Sequence, residues 1–191
     1  LLRDVLNVVT TLREAKSVIY NGKVIVDGII RKSLHHSIGL MDVIELQGIS
    51  DVYRLVPTHG HILQPIKIDS YEKSKKLVKV TSKTTIKGKK TQLGFHDGRT
   101  IIAENNVNVG DSCLIQIPEQ KILDVIKLEK DSLVIVTRGI NTGQVGHVNS
   151  INKATFTLSK RINLTIDKKK FEMPADLVIA IGKEKPVIQI R

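Results

Sequence analysis

The hydrophobic positions near the start of the chain follow a helical spacing. Apolar residues recur at intervals of three and four along residues 2–9, which predicts a first short helix. Thr11 and Glu14 then have the spacing of a capping box, in which each residue satisfies a backbone N–H of the other, so a second helix is predicted to follow Thr11. Asn21-Gly22 is suited to end that helix, because both residues tolerate the left-handed conformation.

After this point the pattern changes to the alternation that is typical of strands. Residues 23–28 predict a short strand and a turn, and residues 42–46 predict a second strand. Only residues 69–77 allow a further, brief helix. Gly, Asn, Asp and Pro separate the remaining segments at short intervals, as in small barrels or sandwiches. The strands predicted beyond residue 50 are 52–56, 77–86, 91–95, 100–102, 112–117, 122–128, 133–137, 146–151, 155–158 and 177–181.

These elements predict an α+β protein that is mostly β. We expect a small α/β unit over residues 1–48, a basic β-rich domain of barrel-like form over 49–118, and a second β-unit over 119–191. The first strand of the middle unit is expected to stop at Pro57, and Pro118-Glu119 is expected to mark the second boundary.

The charge of the chain narrows the choice of partner. Lys and Arg number 30 against 19 Asp and Glu, which gives a net charge of +11. A polyanion is the simplest partner, because each phosphate that a cation neutralises releases condensed counterions. The alternative is a basic protein without such a partner. The net charge is +1 over residues 1–50 and +5 over each of 51–118 and 119–191. A basic surface on the first unit must therefore come from the way its cations are placed, because that unit has almost no net charge.

Three further features of the sequence argue against classes of protein and of site. Aromatic residues make up 3% of the chain, which argues against domains that stack bases on an aromatic platform. The single cysteine, Cys113, excludes an intramolecular disulfide and a four-thiolate zinc site, and it favours a reducing compartment. No apolar run approaches the roughly 18 residues of a membrane-spanning helix, so no membrane association is expected.

The densest basic run covers residues 73–90. Lys79, Lys83 and Lys87 are four residues apart, so a regular strand would present them on one face. Lys-Gly-Lys-Lys at 87–90 is typical of a loop tip. Such a cluster can bridge several backbone phosphates, and the alternative is a solvated, charged hairpin.

Residues 12–31 combine a helix that ends at Asn-Gly, a strand that begins at once, and an Asp-Gly turn. Together with residues 40–44, they resemble the S-four RNA-binding domain that occurs in many ribosomal proteins and RNA-modifying enzymes, and the resemblance covers residues 2–47. In that family, basic residues on the second helix and the following loop contact RNA phosphates. The alternative is a solvated helix face. The resemblance implies phosphate contacts by Arg13, Lys16, Lys23, Arg31 and Lys32.

Residues 133–151 resemble a KOW motif, which consists of a strand, a Gly-x-x-x-Gly-x-x-Gly loop and a second strand. Here the glycines are Gly139, Gly143 and Gly146. Glycine allows a positive φ and a close approach of RNA or protein. The alternative is an ordinary hairpin. The family usually has Lys where Asn141, Gln144 and His147 stand, so this loop departs from its pattern of phosphate contacts.

The order of the three units is similar to that of the archaeal and eukaryotic small-subunit ribosomal protein family S-four-e, and the resemblance covers nearly the whole chain. It implies an S-four-type module, a central domain and an SH3-like KOW barrel with a C-terminal strand. It also implies a structural protein of the small ribosomal subunit, located on cytoplasmic ribosomes and monomeric outside them. Its expected partners are ribosomal RNA and neighbouring ribosomal proteins. The family has a basic N-terminal extension, so a chain without an initial Met is expected to start inside the natural protein.

No catalytic residue, cofactor or metal ligand is predicted. His35 and His36 are adjacent and cannot both point to one face of a strand, and His59-Gly60-His61 has no acidic or cysteine residue close in sequence. Two alternatives stay open, a KOW-containing assembly or elongation factor and an RNA-modifying enzyme that docks through its S-four module. The residues predicted to bind RNA are Arg13, Lys16, Lys23, Arg31, Lys32, Lys79, Lys83, Lys87, Lys89, Lys90, Arg138, Asn141, Gly143 and His147.

Overall fold

The computed structural model describes residues 1–103, 106–156, 158–166 and 169–190. Within these ranges the protein has one α-helix and three antiparallel five-stranded sheets. The α+β, mostly β class is therefore confirmed at this level. No helix in the described ranges is long and apolar enough to cross a membrane.

The helix α1 (Leu12–Tyr20) begins at the predicted capping box. The backbone N–H of Glu14 donates to the Thr11 hydroxyl at 3.2 Å, and the Glu14 carboxylate accepts from the Thr11 N–H at 3.3 Å. The helix ends before Gly22, which has φ +72°. The helix predicted at residues 2–9 is wrong, because this segment forms irregular turns. A segment so short and without a cap cannot offset the cost of helix nucleation.

The first sheet has the strand order β2-β1-β3-β4-β5. Its strands are β1 (Val24–Val26), β2 (Ile29–Ile30), β3 (Val43–Leu46), β4 (Val52–Thr58) and β5 (His61–Ile68). The predicted turn at Asp27-Gly28 joins β1 to β2, and both residues have a positive φ, as a two-residue hairpin turn requires.

Two prolines explain the errors in this sheet. Pro57 does not end β4, because it lies at a register shift between Val56 and Thr58, where it need not donate to the ladder. Pro65 lies in β5, which is the edge strand of the sheet and was not predicted. Since β4 and β5 pair with the first unit, the sheet does not divide at the expected boundary after residue 48.

The second sheet has the order β10-β9-β6-β7-β8. Its strands are β6 (Lys75–Ile86), β7 (Lys90–Phe95), β8 (Thr100–Ala103), β9 (Ser112–Gln116) and β10 (Lys121–Ile126). A 3-10 turn at Ser70–Glu72 stands where a brief helix was expected. Strand β6 pairs with β9 in its first half and with β7 in its second, with a bulge at Thr81. Because β10 pairs with β9, the expected boundary at Pro118-Glu119 also falls inside a sheet.

The third sheet has the order β14-β13-β12-β11-β15. Its strands are β11 (Leu133–Val136), β12 (Val145–Asn152), β13 (Arg161–Ile166), β14 (Lys169–Pro174) and β15 (Val178–Gly182). Strands β13 and β14 were not predicted. The strand predicted at 155–158 is wrong where the structure describes it, since Thr155 and Leu158 are hydrogen-bonded across a turn; Thr157 lies outside the described residues.

The largest hydrophobic core joins all three sheets. It contains Met41, which precedes β3, Leu77 and Leu114 from the second sheet, and Val134 and Ile179 from the third. A second core packs Val43 and Val52 of the first sheet against the second. The units therefore bury apolar surface against each other.

Candidate nucleic-acid interface

The cations of the first unit surround α1. Arg13 and Lys16 are exposed and three residues apart, so they lie on the same side of the helix. Lys16 and Arg31 line one groove of about 590 Å³ between α1 and the segment 31–38, and Arg31 is half-buried there. Although the first unit has almost no net charge, the fold brings these two cations to the edges of one groove.

Lys23 and Lys32 lie at the other end of the helix. A Cβ on Gly22 would be 3.2 Å from Cε of Lys32, so the stem of Lys32 packs over the last turn of α1. Both lysines are exposed. Cations at this end also interact favourably with the helix dipole. The five predicted residues of this unit thus lie at the surface in two groups.

The predicted tip of the β6–β7 hairpin presents three lysines to solvent. Lys87 and Lys89 lie in the turn, and Lys90 pairs with Ile86 at the start of β7. Gly88 and Lys89 both have a positive φ, which closes the turn tightly. All three lysines are exposed. This tip has the densest exposed positive charge among the predicted residues.

The structure corrects the prediction for Lys79. Its side chain is 7% exposed, and its ammonium donates to the carbonyls of Ala175, Asp176 and Val178 at 2.8–3.1 Å. Burial lowers the pKa of Lys79 to about 8. Lys79 therefore connects β6 to residues 175–178, at the start of β15, and cannot contact RNA.

Lys83 does not share a face with Lys79, because the bulge at Thr81 shifts the alternation of β6. Lys83 is half-buried, and its ammonium donates to the carbonyl of Val107 at 2.8 Å. The expectation of one basic face made of Lys79, Lys83 and Lys87 is therefore wrong, and the exposed charge of this hairpin is confined to its tip.

A buried charge cluster, which the sequence did not reveal, lies between the first and second sheets. Lys76 is 1% exposed, and its ammonium is 2.7 Å from Asp27, 2.5 Å from Asp42 and 3.1 Å from Asp97. Arg99 donates to Asp27 at 2.6 Å. Although burial opposes the charged form, the carboxylates of Asp27 and Asp42 raise the pKa of Lys76 above its ordinary value. The cluster joins the β1–β2 turn to β6 and to the β7–β8 turn.

Arg54 forms a second buried junction. Its guanidinium donates to the Glu72 carboxylate at 2.6 Å and to the carbonyls of Lys75 and Gln189 at 3.0 Å. The Glu72 carboxylate in turn accepts from the Gln189 N–H. The charged groups of Arg54, Lys76 and Lys79 are thus paired inside the protein. This part of the positive charge is not available to a polyanion.

His96 adds a titratable group to the same junction. Its Nδ1 accepts from the Lys79 backbone N–H at 3.0 Å, which leaves Nε2 to donate to the Leu40 carbonyl at 3.3 Å. This arrangement requires the neutral ring. Burial accordingly lowers the pKa of His96 below its ordinary value.

We predict a loss of stability on acidification that depends on His96. The unfolded chain takes up a proton near the ordinary pKa of 6.5, whereas the folded chain does so only at lower pH, so stability falls as the pH is lowered from about 7 to 5. Urea unfolding of the parent and of His96→Gln at both pH values measures this. The parent should lose more stability than the variant, by at most about 1.4 kcal/mol per pH unit. Equal losses would contradict a buried neutral ring.

The glycine-rich loop between β11 and β12 faces protein at its centre. A Cβ on Gly143 would lie 2.6 Å from Cα of Thr58 and 2.8 Å from the His59 nitrogen, so the loop packs directly on the β4–β5 turn. The expectation that Gly143 admits RNA is therefore wrong. Arg138 and His147 are exposed, and Asn141 is half-buried. The rim of the loop also carries Ile140, which is 95% exposed, so it is of mixed character around a packed centre.

Comparisons with known proteins indicate one family. The family model described as ribosomal family S4e matches residues 49–122. The small ribosomal subunit protein eS4 of Methanothermobacter thermautotrophicus is 40% identical, over 100% of this chain and 79% of its own length. The protein of the same name from Staphylothermus marinus is 38% identical, with the same coverage.

A solved structure has the same fold. The crystal structure of the 30S ribosomal protein S4e from Thermoplasma acidophilum superimposes with a TM-score of 0.83 and 32% sequence identity. The match covers 100% of this chain and 95% of that one. Identity at this level over the whole of this chain, together with the shared fold, shows that this chain belongs to the ribosomal protein family S4e.

Proposed function

We propose that this protein is a structural, non-catalytic component of the small ribosomal subunit that binds ribosomal RNA through its phosphate backbone. The observation that carries the proposal is similarity over the whole chain to proteins named small ribosomal subunit protein eS4. The net charge of +11 and the exposed lysine tip support binding to a polyanion. The proposed place of action is the ribosome in the cytoplasm, with neighbouring ribosomal proteins as further partners.

We assign α1 and the first strands to an S-four-type module, and the third sheet to a KOW-type module. The helix that ends at Gly22, followed by the β1–β2 hairpin, supports the first assignment. The glycine loop between β11 and β12 supports the second. Lys79 and Gly143 are no longer proposed as contacts because they pack against protein, and Lys83 is left out because it is half-buried. The remaining proposed contacts with RNA are Arg13, Lys16, Lys23, Arg31, Lys32, Lys87, Lys89, Lys90, Arg138, Asn141 and His147.

Neutralising the lysine tip tests this proposal. We expect Lys87→Gln, Lys89→Gln and Lys90→Gln together to weaken binding to small-subunit ribosomal RNA by roughly 1–3 kcal/mol at about 0.1 M salt, because up to three counterions fewer are released. The slope of log K against log salt should become less steep by roughly 2–3. Filter binding over a range of KCl concentrations measures both quantities.

A matched control comes from the third unit. Lys127, Lys183 and Lys185 are exposed and line a surface pocket with Asp124, Glu129 and Glu184. Replacing these three lysines by Gln removes the same charge from a region of mixed sign. The slope should change much less than in the tip variant. Equal changes in both variants would show that overall charge, and not the tip, determines binding.

A further inference from the structure

The hairpin that carries the lysine tip has a second chemical feature on its outer side. Beyond the bulge at Thr81, the strands β6, β7 and β8 form a three-stranded ribbon with directly paired rows. Thr84 pairs with Gln92 and Gln92 with Ile102. The residues that point to the outer side, which we call the ribbon face, are Ser82, Thr84, Ile86, Lys90, Gln92, Gly94, Thr100 and Ile102.

The opposite side of the ribbon is committed to the protein interior. Leu93 and Phe95 of β7 are buried in the second core, and Ile101 packs against it. On the ribbon face, in contrast, Thr84 and Thr100 are exposed and Ile102 is 57% exposed. The ribbon is thus a sheet with one side packed and the other open to a partner.

Apart from Ile86 and Ile102, the side chains of the ribbon face are polar or absent, and none of them is acidic. In the part of the chain that the structure describes, the side chains of Thr84 and Gln92 make no hydrogen bond, so their donors and acceptors stay available. Gly94 leaves space for the Ser82 hydroxyl at the centre of the face, because a Cβ on Gly94 would collide with that hydroxyl. The result is a surface with hydroxyl and amide groups at its centre, roughly 10 Å across three strands.

The charge lies at one end of this surface. Lys87 and Lys89 follow closely after β6. Lys90 is two residues from Gln92 along β7, on the same face of the ribbon. At about 3.3 Å per residue, the tip ammonium groups are within roughly 10 Å of the hydroxyl rows. A partner must therefore combine a dense negative charge with a neighbouring array of hydrogen-bonding groups.

We propose that the ribbon face docks into the minor groove of an RNA helix within the bound ribosomal RNA. That groove is wide and shallow and displays ribose 2′-hydroxyls, which act as both donors and acceptors. Ser82, Thr84 and Gln92 contact the 2′-hydroxyls, while Lys87, Lys89 and Lys90 contact the phosphates at the groove edge. This inference rests on the proposed function and names the RNA element that the tip binds.

The dependence on 2′-hydroxyls gives a direct test. Full-length protein is titrated with an RNA duplex of about 16 base pairs and with a DNA duplex of the same sequence. The parent should prefer the RNA duplex. The triple variant Ser82→Ala, Thr84→Val and Gln92→Met keeps the shape and strand propensity of the face but removes its polar groups. Its affinity for the RNA duplex should fall about five- to fiftyfold, with the DNA affinity and the salt slope nearly unchanged.

A control pair beside the first sheet tests for a general effect of lost hydroxyls. Ser50→Ala with Ser70→Ala removes two exposed hydroxyls outside the proposed contacts with RNA, and it should leave the preference for RNA intact. An unchanged preference in the ribbon variant, or its loss only in the control pair, would overturn the inference. Both results would leave the proposed function standing if the parent still binds small-subunit ribosomal RNA with a steep salt dependence. Failure of the parent to bind that RNA at all would instead overturn the proposed function and this inference together.

Discussion

Replacement of Lys76 by methionine is expected to lower the free energy of unfolding by about 3–5 kcal/mol, because it removes one partner of a buried ion cluster. The Lys76 ammonium touches the carboxylates of Asp27, Asp42 and Asp97, all of which are largely buried. Without it, Arg99 is the one cation among the described residues that still pairs with Asp27 and Asp97. Three carboxylates would then share one cation inside the protein. Urea unfolding at pH 7 measures the loss.

The same substitution at the exposed Lys121 is the matched control, and it should change the stability by less than about 0.5 kcal/mol. The effect at position 76 should also depend on pH. Burial alone would raise the pKa of Asp97, but Lys76, Arg99 and the Arg99 N–H hold it below its usual value. Protonated carboxyls no longer need the ammonium, so the difference between parent and Lys76→Met should shrink as the pH falls through the carboxylate range. A loss of under about 1 kcal/mol at pH 7 would contradict a tightly coupled cluster.

The sequence predicts well those features that depend on neighbours along the chain. The capping box of Thr11 and Glu14, the Asp27-Gly28 turn and the tip at Lys87–Lys90 each rest on the local conformational preferences of a few consecutive residues. Each of these was located to within a residue. The physical reason is that capping hydrogen bonds and positive φ angles act over one turn and need no distant partner.

Features that depend on distant partners were not predictable in the same way. Lys76 and Lys79 have the pattern of a solvated basic run, but their partners lie 21 to 99 residues away in sequence. A lysine in a strand gives no local sign that three carboxylates or three carbonyls will surround it. The sequence gives no sign of the bulge at Thr81 either. This bulge is the reason why Lys83 and Lys79 point to different faces of the strand.

The prolines and the missed strands have a related explanation. Pro57 and Pro65 are compatible with a strand only because of a register shift and an edge position, and both of these are properties of the assembled sheet. Strand β13 has alternating burial, with Ile162, Leu164 and Ile166 inside. That pattern was present in the sequence and could have been recognised. The same reason applies to the candidate interface. The sequence gives the number of cations, but their burial depends on the assembled sheets.

Substitution of Gly143 by alanine is expected to destabilise the protein by about 2–4 kcal/mol, because strain and overlap add at this position. Gly143 has φ +79°, which costs a residue with a Cβ about 1–2 kcal/mol. The new Cβ would also lie 2.6–2.8 Å from backbone atoms of Pro57, Thr58 and His59. Backbone cannot move aside as a flexible side chain can, so the loop must lift from the β4–β5 turn. Urea or thermal unfolding gives the magnitude.

Gly139 of the same loop separates the two causes. It also has a positive φ, but a Cβ there would meet nothing within 4 Å, so Gly139→Ala should cost only the backbone strain of about 1–2 kcal/mol. The difference between the two variants is then the cost of the overlap with the β4–β5 turn. Equal losses would show that the loop does not pack on that turn.

Under conditions where Gly143→Ala stays folded, its salt slope with ribosomal RNA should equal that of the parent, because the glycine contacts protein and releases no counterions. A flatter slope would return Gly143 to the RNA-binding surface, whereas an unchanged slope with lowered stability shows that the loop holds the first and third sheets together.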